Sequence, residues 1–243
     1  MSEAVFSSPA SAADAAAVRL QAVRARIGAA AHRAGRAADS VTLIGVSKLQ
    51  PPAALAALAD LGQRDFGENY LQEALGKIDT LRARGLVWHF IGQLQANKTR
   101  AVAEHFDWVH TVDRLKIATR LAAQRPFHAP PLAVCVQVSL GDEAGKGGIA
   151  PGELPALLDA VAALPRLQLR GLMALPPAET EESRQRTWFA QLRGLFEAAR
   201  RSHPQLDTLS MGMSGDLEAA ILEGATHVRV GTALFGERLQ SAP

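Results

Sequence analysis

Hydrophobic positions along this chain fall into two kinds of run that alternate. The first is helical: from Ser11 an Ala- and Arg-rich stretch separates Val18, Val23 and Ile27 by arginines and ends near Gly35, the pattern of a long amphipathic helix. Short apolar or β-branched runs follow at Thr42–Ser47, around Phe66, and at Trp88–Gly92, Trp108–Val112, Ala133–Leu140, Leu169–Leu175, Thr208–Met211 and His227–Val230, eight candidate strands in all. Between them the pattern predicts helices over Pro52–Leu61, Tyr70–Arg84, Lys98–Ala103, Arg114–Gln124, Gly152–Leu164, Glu179–Ser202 and Gly215–Glu223. Parallel neighbours need a crossover long enough to hold a helix, so the alternation predicts a parallel sheet. Several runs are apolar on both faces, as in strands covered by helices. Eight such units predict an α/β fold, a single (β/α)8 TIM barrel with an extra N-terminal helix. The alternative is a doubly wound open sheet, but no G-x-G-x-x-G fingerprint follows the first strand. Residues 1–11, small and polar, are expected to be a flexible N-terminus, and 12–243 a single domain, since no low-complexity linker divides them.

Composition removes several classes. With 48% hydrophobic and 21% charged residues among 243, the chain has enough apolar surface to fold, unlike a disordered segment. Its 26 basic residues, five Lys and 21 Arg, exceed the 24 acidic ones by two and are scattered, so no nucleic-acid partner is expected. There is no basic n-region with an apolar core at the start, and no stretch approaches the ~20 apolar residues that span a bilayer. A cytoplasmic protein without a membrane partner is expected. Cys135, between Val134 and Val136, is the one cysteine. It can form neither an intrachain disulfide nor a Cys-rich zinc site, and it reads as a small buried hydrophobe in a reducing compartment.

Barrel ligands bind where the strands end at their C-termini, so the residues closing each strand carry the candidate chemistry. Lys48 closes the first strand. Pointing into the mouth, its amine would be desolvated and nucleophilic, suited to a Schiff base; position alone leaves open that it runs out to solvent. The seventh unit reads Leu209-Ser210-Met211-Gly212-Met213-Ser214-Gly215-Asp216: a strand end, a turn through Gly212, and a helix start with Ser214 as N-cap. The eighth ends in Val230-Gly231-Thr232, where glycine permits close approach and threonine offers a hydroxyl and an N–H. Together they form either a phosphate cradle or two ordinary helix caps. Arg229 lies two residues before Gly231 and so shares its face; if inward, it needs an acceptor, either a ligand ring nitrogen or a nearby carboxylate. His89 and His110 read as hydrogen-bonded core or rim histidines, with no metal-binding spacing, and no G-x-S-x-G elbow supports a serine hydrolase. Asp142, Glu143 and Lys146 crowd the loop after the fifth strand as a solvated cluster.

Seven blocks make the sequence recognisable: GVSKLQP (45–51), DFGENYLQEA (65–74), WHFIGQLQANKTR (88–100), VHTVDR (109–114), LRGLMALPP (169–177), LSMGMSGDLEAAI (209–221) and HVRVGTALFGER (227–238). Together they cover nearly the whole chain beyond its first ~35 residues. In them the chain resembles the pyridoxal phosphate homeostasis proteins of the YggS/PROSC type, which are related to the barrel domain of alanine racemase. The resemblance implies pyridoxal 5′-phosphate (PLP) as cofactor and Lys48 as the lysine that carries it. It also implies a phosphate cradle from Ser214, Gly231 and Thr232, Arg229 near the pyridine nitrogen, and Asn69 and Met211 lining the pocket. Two departures stand out: Gly145-Lys146-Gly147-Gly148 replaces a Ser-Lys-Ser-Gly-like element, and Gly215 takes the place of an acidic residue.

Two functions follow from that resemblance. One is a monomeric PLP carrier that takes part in intracellular PLP homeostasis by buffering or delivering the cofactor, with apo PLP-dependent enzymes as candidate recipients and no robust catalysis. The other is a PLP-dependent amino-acid racemase or related enzyme. Racemisation needs a base on each face of Cα. In the racemase relatives the second base is a tyrosine from a separate domain, whereas this chain has Tyr70 alone, beside Asn69 at a helix start. An arginine at the ring nitrogen also weakens the electron sink, so the carrier is the expected function.

Overall fold

The computed structural model of the protein describes residues 9–141 and 147–236. Eight strands, β1 (Thr42–Val46), β2 (Asp65–Glu68), β3 (Val87–Phe90), β4 (Trp108–Val112), β5 (Leu132–Gln137), β6 (Leu167–Met173), β7 (Thr208–Ser210) and β8 (His227–Val230), pair in sequence order into a closed parallel barrel. Closure is made by β1 on β8, from Thr42 opposite His227 to Gly45 opposite Val230, which excludes the open sheet. Nine α-helices lie among the described residues: α1 (Pro9–Arg33), α2 (Pro52–Asp60), α3 (Leu71–Thr80), α4 (Thr99–His105), α5 (Leu115–Gln124), α6 (Leu154–Ala162), α7 (Glu182–Arg200), α8 (Leu217–Leu222) and α9 (Thr232–Phe235).

The two periodicities of the sequence reappear as burial. Every residue of β5 is buried, because one side of that strand packs the barrel interior and the other meets the helical shell. In α5 the buried residues are Ile117, Ala118, Leu121 and Ala122, one stripe facing the strands. Cys135 is fully buried within β5, and burial raises its thiol pKa, so it is packing rather than a nucleophile.

Helix α1 does structural work that the eighth unit cannot. The four-residue α9 is too short to cover its side of the barrel, and α1 packs against α8, α9 and α2 to fill that place in the outer ring. Its buried stripe, Ala16, Leu20, Val23, Ile27 and Ala30, recurs every three or four residues. Burying Leu20, Val23 and Ile27 stabilises the fold by about 1.5–3 kcal/mol each. The helix already runs from Pro9, two residues before the expected flexible segment ends, while residues 1–8 lie outside the described ones. No helix among the described residues is long and apolar enough to cross a membrane.

Candidate cofactor site

The C-terminal end of the barrel encloses a cavity of about 400 Å³. Six sequence-predicted residues line it: Lys48 after β1, Asn69 after β2, Ser214 after β7, Arg229 in β8, and Gly231 and Thr232 after it. Val46, Gln50, Ile91, Leu175, Met213, Gly215 and Gly236 complete the wall. Among these described residues the titratable side chains are Lys48 and Arg229 alone.

Lys48 reaches the cavity from a tight turn. Gln50 N donates to Ser47 O at 3.0 Å, and Leu49 occupies the third turn position with φ of 62°. That left-handed backbone is uncommon for a branched aliphatic residue, and glycine or asparagine is usual there. Lys48 Nζ has no hydrogen-bond or ion-pair partner among the described residues. The turn is gripped from below instead. Lys77 of α3, buried, donates to Ser47 O at 2.6 Å and to Glu68 Oε1 at 2.7 Å, and pairs with Glu73. Ser47 Oγ donates to Glu68 Oε1 at 2.6 Å, and Leu49 N to Glu73 Oε1 at 2.6 Å. Burial pushes the Glu68 carboxyl up, against the opposing pull of its bonds from Lys77 and Ser47.

On the opposite wall, Arg229 points inward, as its spacing from Gly231 predicts. It is 3% exposed, and burial lowers its pKa to about 10. Its acceptors among the described residues are Ser210 Oγ at 2.7 Å and Ala174 O at 3.0 Å, two bonds for a group with five N–H donors. No carboxylate forms an ion pair with it among the described residues. Behind it, hydrogen bonds run down the barrel axis: Ser210 Oγ to His110 Nδ1 at 2.8 Å, His110 Nε2 to His89 Nδ1 at 3.0 Å, and His89 Nε2 to Asp65 Oδ1 at 3.0 Å. One proton assignment satisfies all of them. Arginine can only donate, so Ser210 Oγ accepts from it and gives its own proton to His110 Nδ1. His110, fully buried and held well below its ordinary pKa by desolvation, is neutral and donates from Nε2 to His89, which donates from Nε2 to the Asp65 carboxylate.

The turns after β7 and β8 supply free N–H groups. Those of Ser214, Gly215 and Thr232 donate to nothing among the described residues. Gly212 makes the first turn possible with φ of 93°, and a Cβ there would lie 2.6 Å from Ala220 Cβ. Gly92, just after β3, does the same for Asn69: a Cβ would stand 2.2 Å from Asn69 O. The Asn69 side-chain oxygen Oδ1 is buried without a partner, an acceptor facing a ligand-sized space.

Comparison with known proteins places this geometry. The family described as alanine racemase, N-terminal domain, matches residues 18–239. The pyridoxal phosphate homeostasis protein of Pseudomonas aeruginosa is 58% identical over 221 residues, 91% of this chain and 95% of that protein. Its counterpart in Escherichia coli K12 is 54% identical, covering 89% and 94%. The chain belongs to the pyridoxal phosphate homeostasis protein family. Among solved structures, PipY of Synechococcus elongatus with PLP bound is 42% identical, with a TM-score of 0.76 over 81% of this chain and 93% of PipY.

Two details of this family member differ from the sequence expectation. Met211 is fully buried in the core and absent from the cavity wall, where Met213 stands instead. Ser210 points inward to His110 and Arg229, so Met211 beside it faces the helical shell until the Gly212 turn resets the direction. Ser214 is not the cap of α8 either: the turn extends two residues further and Asp216 precedes the helix, accepting from Met213 N. The Lys146 loop, with Asp142 and Glu143, lies outside the described residues. Ile91, Leu175 and Gly92 were invisible as site residues because ordinary apolar strand ends and glycines carry no chemical signature.

Proposed function

We propose that this protein binds PLP reversibly and serves its intracellular homeostasis as a carrier. The residues present fit the cofactor. Lys48 Nζ is the unpaired amine that condenses with the aldehyde, water leaving as the Schiff base forms. The free N–H groups of Ser214, Gly215 and Thr232, with the Ser214 and Thr232 hydroxyls and the close approach allowed at Gly231, suit the phosphate. Arg229 has donors left for the ring nitrogen, and Asn69 Oδ1 accepts from a ring substituent. When bound, PLP supplies an aldehyde for condensation and a ring that withdraws electrons. A guanidinium facing the ring nitrogen keeps that nitrogen unprotonated, which weakens the withdrawal.

The observation that favours a carrier over a racemase is the poverty of bases at the wall. Among the described lining residues Lys48 is the one base, because Arg229 remains a cation. Tyr70, the chain's single tyrosine, is 55% exposed and does not line the cavity. Racemisation needs a second base, and each general acid–base group contributes ~10²–10⁴-fold. Incubating the PLP-loaded protein with L- and D-alanine in deuterated water and following Cα exchange tests this. The carrier reading expects exchange far below about 1 s⁻¹, the low end of enzyme turnover. Exchange above that rate, abolished in Lys48→Ala, overturns it.

A further inference from the structure

We propose that Lys77, Glu68 and Glu73 form a clamp that positions Lys48 for condensation by holding its turn in a strained shape; this rests on the PLP-carrier reading above. The three charges sit below the turn, between β2 and α3, and none of them lines the cavity. Yet they hold both neighbours of Lys48. Ser47 is fixed through its carbonyl by Lys77 and through its hydroxyl by Glu68, and Leu49 is fixed through its N–H by Glu73. Of the residues from 47 to 49, only Lys48 keeps its side chain free for the cavity.

Two features are hard to explain as ordinary packing. Leu49 holds a left-handed φ of 62° while its side chain is 61% exposed, so little apolar burial compensates for that backbone. Glu68 is completely buried with Oε2 unsatisfied, in a cluster of one cation and two carboxylates. Buried ion pairs of this kind rarely stabilise a fold beyond what apolar residues of the same volume achieve. Their bonds converge on the Ser47–Gln50 turn, which aims the amine inward in line with Val46 of β1. Without the clamp the turn relaxes to negative φ at Leu49, and Lys48 spends its time away from the aldehyde. A helix face carrying Glu73 and Lys77 four residues apart would otherwise pass for a solvated surface pair.

Glu73 is the residue to change, because removing it leaves Lys77 paired with Glu68 and no new buried charge. Affinity for PLP is read from the absorbance band near ~420 nm expected of the protonated Schiff base. Affinity for pyridoxine 5′-phosphate, which has no aldehyde to meet Lys48, is read by competition. Glu73→Ala should weaken PLP binding roughly ten- to a hundredfold, the loss of one charge-assisted hydrogen bond, and leave pyridoxine 5′-phosphate affinity within about twofold. Glu73→Gln keeps an acceptor for Leu49 N and should restore PLP binding. So should Glu73→Ala combined with Leu49→Gly, since glycine holds positive φ without help. A Glu73→Ala protein that binds PLP like wild type, or that loses both ligands equally, overturns the clamp. So does failure of both rescues. Wild-type protein that forms no such band contradicts the carrier reading itself and removes the clamp's purpose with it.

Discussion

His227 shows how much a single buried side chain governs. Burial, with the charges of His89 and Arg170 working in the same direction against Asp65 and Asp207, lowers its pKa to about 4. His110, deeper in the barrel, is also held well below its ordinary value, by desolvation and by His89, His227 and Arg229. In the unfolded chain both would titrate near ~6.5. Below that pH the unfolded state gains protons that the folded state refuses, so stability falls as pH drops below about 6.5, and the share owed to His227 levels off below its folded pKa of about 4. For His227 the loss is on the order of 3 kcal/mol across that window. Urea denaturation at a series of pH values should show this slope, and His227→Gln should flatten part of it while leaving the midpoint near neutrality within about 1 kcal/mol of wild type. Equal slopes in the two proteins would contradict the assignment. At this scale the sequence was informative but incomplete: strand alternation placed Arg229 inward, and His89 and His110 were read as hydrogen-bonded core groups, whereas their joining into one line with Ser210 and Asp65 depends on four strands meeting.

Elements decide which end of each residue matters. The phosphate subsite is formed by two turns, and neither stands alone: Arg26 of α1 donates to Ser214 O at 2.9 Å and to Glu218 Oε1 of α8 at 2.6 Å, tying the added helix to the turn after β7. Ser214→Ala and Thr232→Ala should each raise the dissociation constant for PLP roughly ten- to a hundredfold, the worth of one hydrogen bond to a dianion, ~1.5–3 kcal/mol. Isothermal titration checks this, with pyridoxal as control. Lacking the phosphate, pyridoxal should bind far more weakly to wild type and respond little to either change; equal affinities for pyridoxal and PLP would contradict the subsite. All eight strands were legible as apolar runs, with bounds that moved by up to three residues, because strands buried on both sides stand out from polar helix faces. Helix α9 was missed, since four residues hold too little periodicity, and the start of α8 was set two residues early because Ser214 looks like a cap while the turn runs on to Asp216.

For the whole molecule, closure of the barrel brings five strand ends and two turns around one space, which explains why most of the site could be read from the sequence. Residues that close strands necessarily meet at that end, so Lys48, Arg229, Gly231 and Thr232 stood out as candidates from their place after or within a strand, while their roles, and Asn69 as a pocket residue, came with the family resemblance. The Lys77 cluster was hidden because its partners come from three separate segments, and a lysine on a helix reads as solvent-facing until the strands behind it are known. Lys77 also sharpens the central claim. It is buried in ion pairs close to Lys48, so a reagent that traps the Schiff base discriminates between a free amine in the cavity and a paired one outside it. Borohydride reduction of the PLP-loaded protein, followed by peptide mapping, is therefore the most direct measurement. The result expected is one pyridoxyl group per chain, on the peptide containing Lys48 and on no other. A stoichiometric group on Lys77, Lys98, Lys116 or Lys146 in the folded protein, with Lys48 unmodified, would contradict the account.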